Sequence, residues 1–264
     1  MNLGASRVVL RPRGVPEVLD LACVFILAHR ASFLRLAAWV LLPSLALCWA
    51  ARTLGGWSWQ GVWALAIGLG DLIEGPFTLL AGDLLFKDTI SVRGVLGRFL
   101  RRLPSYLVVM VVSRIGIGVA AALMVLLPIV GVRCLWVREA SLLEQAAPFA
   151  ALRRSERVSK RQGGACFGLG ICLLLAQAWG VIAAELLGQG LVEFGLQLGQ
   201  PLGSLFQDGG SLFALAGFFA SVLYVATARY LKYIDIRTRK EGWDIQLRFS
   251  ALAAAGDAGV RRVA

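Results

Sequence analysis

Two acidic residues, Asp71 and Glu74, interrupt an otherwise apolar stretch of the chain. They are three residues apart, a spacing that puts both carboxylates on one face of a helix. Arg114 lies near the middle of the next long apolar stretch. Ionisable side chains in an apolar medium usually pair with an opposite charge or face a cavity. We therefore predict that Asp71 or Glu74 pairs with Arg114 or Arg138.

A third, more charged stretch contains Arg133 and contributes two further members to a candidate polar site. The members of this site are Asp71, Glu74, Arg114, Arg138 and Glu139. One interpretation is a static ion-pair cluster that fixes the register of neighbouring helices. The other is a polar path, or a binding site for an anionic headgroup or a small solute.

The residue types that catalysis usually needs are scarce. The chain has a single histidine, His29, and its five cysteines are dispersed. A Ser–His–Asp triad would require His29, which has no partners in its sequence context. A metal site requires a cluster of His, Cys or acidic ligands. The sequence therefore predicts no enzyme, no metal and no cofactor.

The composition is typical of a chain that lies mainly in a lipid bilayer. Its 264 residues are 58% hydrophobic and 16% charged, whereas soluble domains average about 45–50% and about 25%. The mean hydropathy is +0.73. The net charge of +11 comes from basic clusters between apolar stretches. Without interleaved aromatic residues, this pattern favours contact with an anionic membrane surface over binding of nucleic acid.

The apolar stretches predict an all-α, polytopic membrane helix bundle of about six transmembrane helices in one domain, residues 1–250. A transmembrane helix needs about 20 mostly apolar residues. The predicted spans are 32–51, 60–80, 106–127, 129–145, 164–187 and 211–230. A shorter amphipathic helix over 16–29 is predicted to lie at the membrane interface. Residues 251–264 are predicted to form a frayed tail.

The positions of the basic residues predict the orientation. Most of the 27 Lys and Arg residues lie before the first span, between the second and third, between the fourth and fifth, or after the sixth. Cytoplasmic loops carry the excess of Lys and Arg, so both termini are predicted to be cytoplasmic. The fourth span is the least apolar of the six, and its prediction depends on this distribution of Lys and Arg.

Small residues recur at a spacing that lets helix backbones approach each other. The pairs are Ala64 and Gly68, Ala66 and Gly70, Gly116 and Ala120, and Gly164 and Gly168. The spacing favours close packing within the bundle over oligomerisation.

Three segments carry a resemblance to a known group of proteins: LRPRGVPEVLDLA, LLEQAAPFAALRRSERVSKRQ and YIDIRTRKEGWDIQL. They resemble segments of bacterial six-helix membrane proteins that are similar to the membrane domain of some glycerophosphoryl diester phosphodiesterases. The resemblance implies the six-helix fold, the plasma (inner) membrane and an accessory role. It implies no activity, since no counterpart of the catalytic domain is expected. The chain departs from the pattern at Gln145, where the group has a glycine.

The second and third segments contain a candidate cytoplasmic motif. Its members are Arg153, Arg154, Ser155, Arg237, Arg239, Glu241, Gly242 and Asp244. Gly242 suits the left-handed conformation that ends many helices. Asp244 is predicted to pair with Arg237 or Arg239 and to hold the tail against the basic loop at 151–162.

The leading functional hypothesis is a non-enzymatic scaffold or accessory subunit of a cell-envelope complex. The expected partners are other membrane proteins, together with anionic lipid headgroups at the cytoplasmic basic loops. The alternative is a transporter or lipid-handling protein that uses the candidate polar site. An open cavity that reaches Arg114 would favour the alternative, whereas a bundle filled by side chains would favour the scaffold.

Overall fold

The computed structural model describes residues 13–87, 90–160, 162–197 and 201–241. These residues form helices and turns without strands, which confirms the all-α prediction. The helices are α1 (Val15–Ala28), α2 (Arg30–Thr53), α3 (Trp59–Phe86), α4 (Val92–Ala122), α5 (Leu127–Cys134), α6 (Val137–Leu143), α7 (Pro148–Ser159), α8 (Gly163–Gly190), α9 (Leu205–Asp208) and α10 (Leu212–Glu241). The predictions for Gly242, Asp244 and the tail 251–264 lie outside the described residues.

Five of these helices are long and apolar enough to cross a membrane. They are α2, α3, α4, α10, and α8 together with the π-helical turn at Leu191–Gly195 that follows it. At about 1.5 Å per residue, each exceeds the roughly 30 Å thickness of a bilayer core. The structure is therefore that of a multi-pass membrane protein.

The fourth predicted span, 129–145, does not form one long helix. The structure divides this stretch into α5, of 8 residues, and α6, of 7 residues, separated by a turn at Leu135 and Trp136. Each helix is only about 10–12 Å long. The prediction of a continuous fourth span is wrong, because the chain turns at Leu135 and Trp136 and α6 then buries most of its residues against α3, α4 and α7.

Two helices, α3 and α10, form the centre of the bundle. In α3, 67% of the most apolar stretch is buried, and in α10 the share is 61%, against 22% or less in α2, α4 and α8. The outer helices expose large apolar residues such as Trp39, Ile115 and Trp179, as expected of surfaces that face lipid. The central pair carries the acids Asp71 and Glu74 on α3.

The start of α1 and the end of α10 are in direct contact. The Arg13 amide donates a hydrogen bond to Asp235 Oδ1 (2.9 Å), and Lys232 Nζ donates one to the Arg13 carbonyl (3.0 Å). These two ends therefore lie on the same side of any membrane that the bundle crosses. Helix α1 itself packs on the bundle through Val18 and Phe25. Its predicted interfacial position stays a prediction.

A close backbone approach joins α8 to α10. A Cβ atom added to Gly217 would lie 2.4 Å from the Gly180 carbonyl oxygen and 2.6 Å from the Ala184 Cβ. By contrast, nothing lies within 4 Å of a Cβ added to Gly68, Gly164 or Gly168, which belong to the pairs that spacing singled out. Among the glycines of those pairs, Gly70 makes a close approach, to the Phe218 ring.

Candidate functional site

Three acids and three arginines form one buried ion network between four helices. Helix α3 contributes Asp71 and Glu74, and α6 contributes Arg138 and Glu139. Helices α4 and α10 add one guanidinium each, from Arg114 and Arg229. The charges balance within this set, which we call the ion network. The five sequence-predicted members of the polar site are thus brought together.

Arg138 lies at the centre of the ion network. Its guanidinium donates to Asp71 Oδ1 (2.6 Å) and to Glu74 Oε2, so it joins the two acids of α3. Both acids therefore face the same direction, as their spacing predicted. Arg114 forms a second, two-point contact with Asp71. We predicted that Asp71 or Glu74 pairs with Arg114 or Arg138: Asp71 pairs with both arginines, and Glu74 pairs with Arg138.

Arg229 is the member that the sequence argument missed. It lies at the end of the last predicted span, 211–230, where basic residues were read as a sign of orientation only, but α10 continues to Glu241 and buries it. Its guanidinium donates to Glu74 Oε2 (2.7 Å), to Glu139 Oε2 (2.9 Å) and to the Leu135 carbonyl. Arg229 thus ties α10 to α3, to the turn at Leu135 and to α6.

Burial differs strongly across the ion network. Glu139 is 1% exposed, whereas the Arg114 side chain is 45% exposed. Arg114 therefore forms the rim, on a face of α4 where Val111 and Ile115 are also exposed. Tyr106 fixes the backbone at Asp71, because its hydroxyl donates a hydrogen bond to the Asp71 backbone carbonyl (2.6 Å).

The candidate cytoplasmic motif is only partly described. Ser155 is buried and donates to the Arg133 carbonyl (2.5 Å), so it holds α7 against α5. Arg153 is exposed. Arg239 pairs with Asp235 (3.3 Å) near the start of α1. Glu241 ends α10, and nothing is described of its side chain.

Glu144, at the end of α6, connects the basic loop to α10. It accepts two hydrogen bonds from Arg154 (2.8 and 3.0 Å) and one from the Tyr233 hydroxyl, and Arg237 lies 3.6 Å away. A contact between the basic loop and the end of α10 was predicted through Asp244. Within the described residues, Glu144 makes that contact.

Replacing Glu144 with glutamine is expected to destabilise the protein at neutral pH, with an effect that shrinks in acid. Burial alone raises the pKa of Glu144, but hydrogen bonds from Arg154 and Tyr233 outweigh it and hold that pKa below its ordinary value of 4.5. A lowered folded-state pKa stabilises the fold above the unfolded pKa, and this stabilisation is lost as the pH falls through the folded pKa.

The measurement is the melting temperature of wild type and Glu144→Gln in detergent between pH 7 and pH 3. The matched control is Glu156→Gln, because Glu156 is 41% exposed and its contact with Arg133 is long, at 3.8 Å. A difference between wild type and Glu144→Gln that stays constant over this range would contradict the expected linkage.

A second buried acid, Glu185, also escaped the sequence argument. It is 1% exposed on α8 and accepts hydrogen bonds from the Leu205 amide (2.7 Å), the Ser211 hydroxyl and the Gln189 side chain (3.3 Å). Glu185 therefore holds the segment around α9 against α8. The available signal for this contact was one acidic residue, Glu185, within an otherwise apolar stretch of the sequence.

Comparison of the chain with protein-family models, with curated proteins and with solved structures finds no match. In the described residues, no group of three or more His, Cys, Asp and Glu side chains is placed to hold a metal ion. What the site does must therefore be argued from its geometry.

Proposed function

We propose that this chain is a non-enzymatic scaffold or accessory subunit of a membrane complex in the cell envelope. The observation that carries the proposal is the closed pairing of the ion network: each of its three acids already binds a guanidinium, and the set is neutral. A paired acid is a poor proton carrier and leaves no free charge for a solute. Such a network instead holds four helices in one register.

The proposed location is the bacterial inner membrane, with both termini in the cytoplasm and anionic lipid headgroups at the basic loops. The clustering of Lys and Arg supports this orientation. The resemblance to six-helix membrane proteins stays a hypothesis.

A second candidate function is transport or lipid handling through the ion network. It is favoured by the 45% exposure of Arg114, which leaves one guanidinium accessible from the flank of α4. In this alternative, an anionic group of the substrate would replace Asp71 as the ion-pair partner of Arg114.

The variant Arg114→Gln separates the two functions, because Asp71 keeps its partner Arg138 when Arg114 is removed. Wild type and variant are extracted from membranes in polymer-bounded particles, and the co-extracted proteins are quantified. If the chain is a scaffold, a protein partner is co-extracted at fixed stoichiometry, and Arg114→Gln leaves that stoichiometry unchanged. The variant also restores the envelope phenotype of a deletion strain. A retained partner without restoration would favour the alternative, and the absence of any stoichiometric partner would contradict the scaffold.

A further inference from the structure

A cleft of about 490 Å³ opens between α3, α4, α10 and the turn after α6. It lies at the end of the bundle where α1 begins, because Arg237 on its wall is two residues beyond Asp235, the partner of Arg13. Along α10, Arg237 is about 12 Å from Arg229 of the ion network. We call this feature the basic cleft.

One side of the basic cleft carries an excess of positive charge. Arg98, Arg101 and Arg102 line it from α4, and Arg237 lines it from α10. Asp83 is the acid on this lining, and it is already bound by Arg98 (3.0 Å) and by Lys87 (2.7 Å). The cleft therefore retains uncompensated cationic groups.

Arg101 and Arg102 supply that excess. Within the described chain, neither side chain has a carboxylate at ion-pair distance or a hydrogen-bonding partner. Arg102 is half-buried, and Arg101 is exposed at the rim. Two adjacent guanidinium groups with free donors suit the several oxygens of a phosphate group.

The hydroxyl of a tyrosine adds an uncharged donor to the same cleft. Tyr230 is 1% exposed and lines the cleft, yet its hydroxyl makes no hydrogen bond to any residue in the described ranges. Although the residue as a whole is buried, the Tyr230 oxygen is not among the fully buried atoms of the described chain that lack a partner, so it is open to the cleft. A phosphate oxygen in the cleft would provide a partner.

The other side of the basic cleft is apolar. Leu79 and Phe86 contribute to it from α3, Leu142 from α6 and Ile234 from α10. A free phosphate ion gains nothing from such a wall, whereas the glycerol and first acyl carbons of a lipid bury apolar surface against it. The basic end of a membrane protein also faces the leaflet rich in anionic lipids.

We propose that the basic cleft binds the phosphate headgroup of an anionic membrane lipid. Arg101 and Arg102 bind the phosphate oxygens, Tyr230 donates a hydrogen bond to them, and the apolar wall contacts the lipid below its headgroup. This site is separate from the ion network and from the scaffold role, and it rests on the proposed orientation, which puts this end of the bundle in the cytoplasm.

Native mass spectrometry of the full chain in non-ionic detergent tests the proposal by counting bound lipid during titration. Phosphatidylglycerol is expected to bind at least about tenfold more tightly than phosphatidylcholine. Arg101→Gln/Arg102→Gln is expected to weaken phosphatidylglycerol binding at least about tenfold, since each basic group contributes roughly 1 kcal/mol and 1.4 kcal/mol is tenfold. The conservative variant Tyr230→Phe is expected to weaken it about threefold or more.

The matched control is Arg30→Gln/Arg35→Gln, which removes the same charge from two exposed positions on α2, outside the cleft and outside the basic loop at 151–162. Less than a twofold change is expected there, and circular dichroism checks that every variant is folded. Equal losses in both double variants, or equal binding of the two lipids, would overturn the proposal. Inorganic phosphate is the third arm: if it displaces phosphatidylglycerol at equal concentration, the occupant is a free phosphate and not a lipid.

Discussion

Replacing Arg229 with methionine is expected to lower the free energy of unfolding by about 3–5 kcal/mol, the usual cost of removing one partner from a buried ion pair. Arg229 is the guanidinium at hydrogen-bonding distance from Glu139, and it also binds Glu74 and the Leu135 carbonyl. Glu74 retains Arg138 after the substitution. Glu139, at 1% exposure, is left charged and buried without a bound cation.

A double substitution separates the destabilisation caused by an unpaired buried charge from the destabilisation caused by lost packing. Methionine keeps an unbranched apolar stem in place of the arginine stem, so most of the packing of Arg229 is preserved. In Arg229→Met/Glu139→Gln, no carboxylate is stranded, and the double variant is expected to be more stable than Arg229→Met by at least about 1 kcal/mol. Reversible unfolding in bicelles gives the free energies for all four members of the cycle.

Arg93→Met is the matched control for Arg229→Met, because Arg93 is an exposed arginine near the start of α4. Its substitution is expected to change stability by no more than about 0.5 kcal/mol. If Arg229→Met and Arg93→Met unfold with the same free energy, the ion network is not what holds α10 to α3 and α6.

The pairing of Asp71 and Glu74 was predictable because an unpaired charge is too costly in an apolar medium to be left alone. The i, i+3 spacing fixed their shared face without any knowledge of tertiary structure. Arg229 was not predictable in the same way. It lies at the very end of the predicted span 211–230, where basic residues usually mark the start of a loop, and only the continuation of α10 to Glu241 buries it beside Glu74.

The break in the fourth predicted span has no local signal. The turn between α5 and α6 falls at Leu135 and Trp136, where the chain has neither glycine nor proline. Tertiary contacts hold it: the Leu135 carbonyl accepts from Arg229, and the Trp136 amide donates to Ser155 Oγ. A position set by partners about 20 and 90 residues away cannot be derived from hydropathy.

The helix contact at Gly217 was missed for a different reason. Gly180 and Ala184 have the small-xxx-small spacing, but a chain with 30 glycines contains many such pairs. The spacing of small residues shows where another helix backbone can approach closely, but it does not identify which helix packs there. The choice depends on which faces of α8 and α10 meet.

Substitution of Gly217 by alanine is expected to destabilise the bundle by about 1–3 kcal/mol, and by valine more strongly. The added Cβ would lie 2.4 Å from the Gly180 carbonyl oxygen, a backbone atom that cannot turn aside as a side chain does. Relief requires α8 and α10 to separate. That separation weakens the contact that holds α8, whose most apolar stretch is only 17% buried.

Gly168→Ala is the control, because Gly168 also lies within α8 but has open space where the new methyl group would sit. Alanine is the better helix former by about 1 kcal/mol in water, so Gly168→Ala is expected to be neutral or slightly stabilising. Unfolding free energies in bicelles compare Gly217→Ala, Gly217→Val and Gly168→Ala. Equal effects of the two alanine variants would show that helix propensity dominates. A loss that grows with side-chain size at Gly217 alone would identify the contact between α8 and α10 as the constraint.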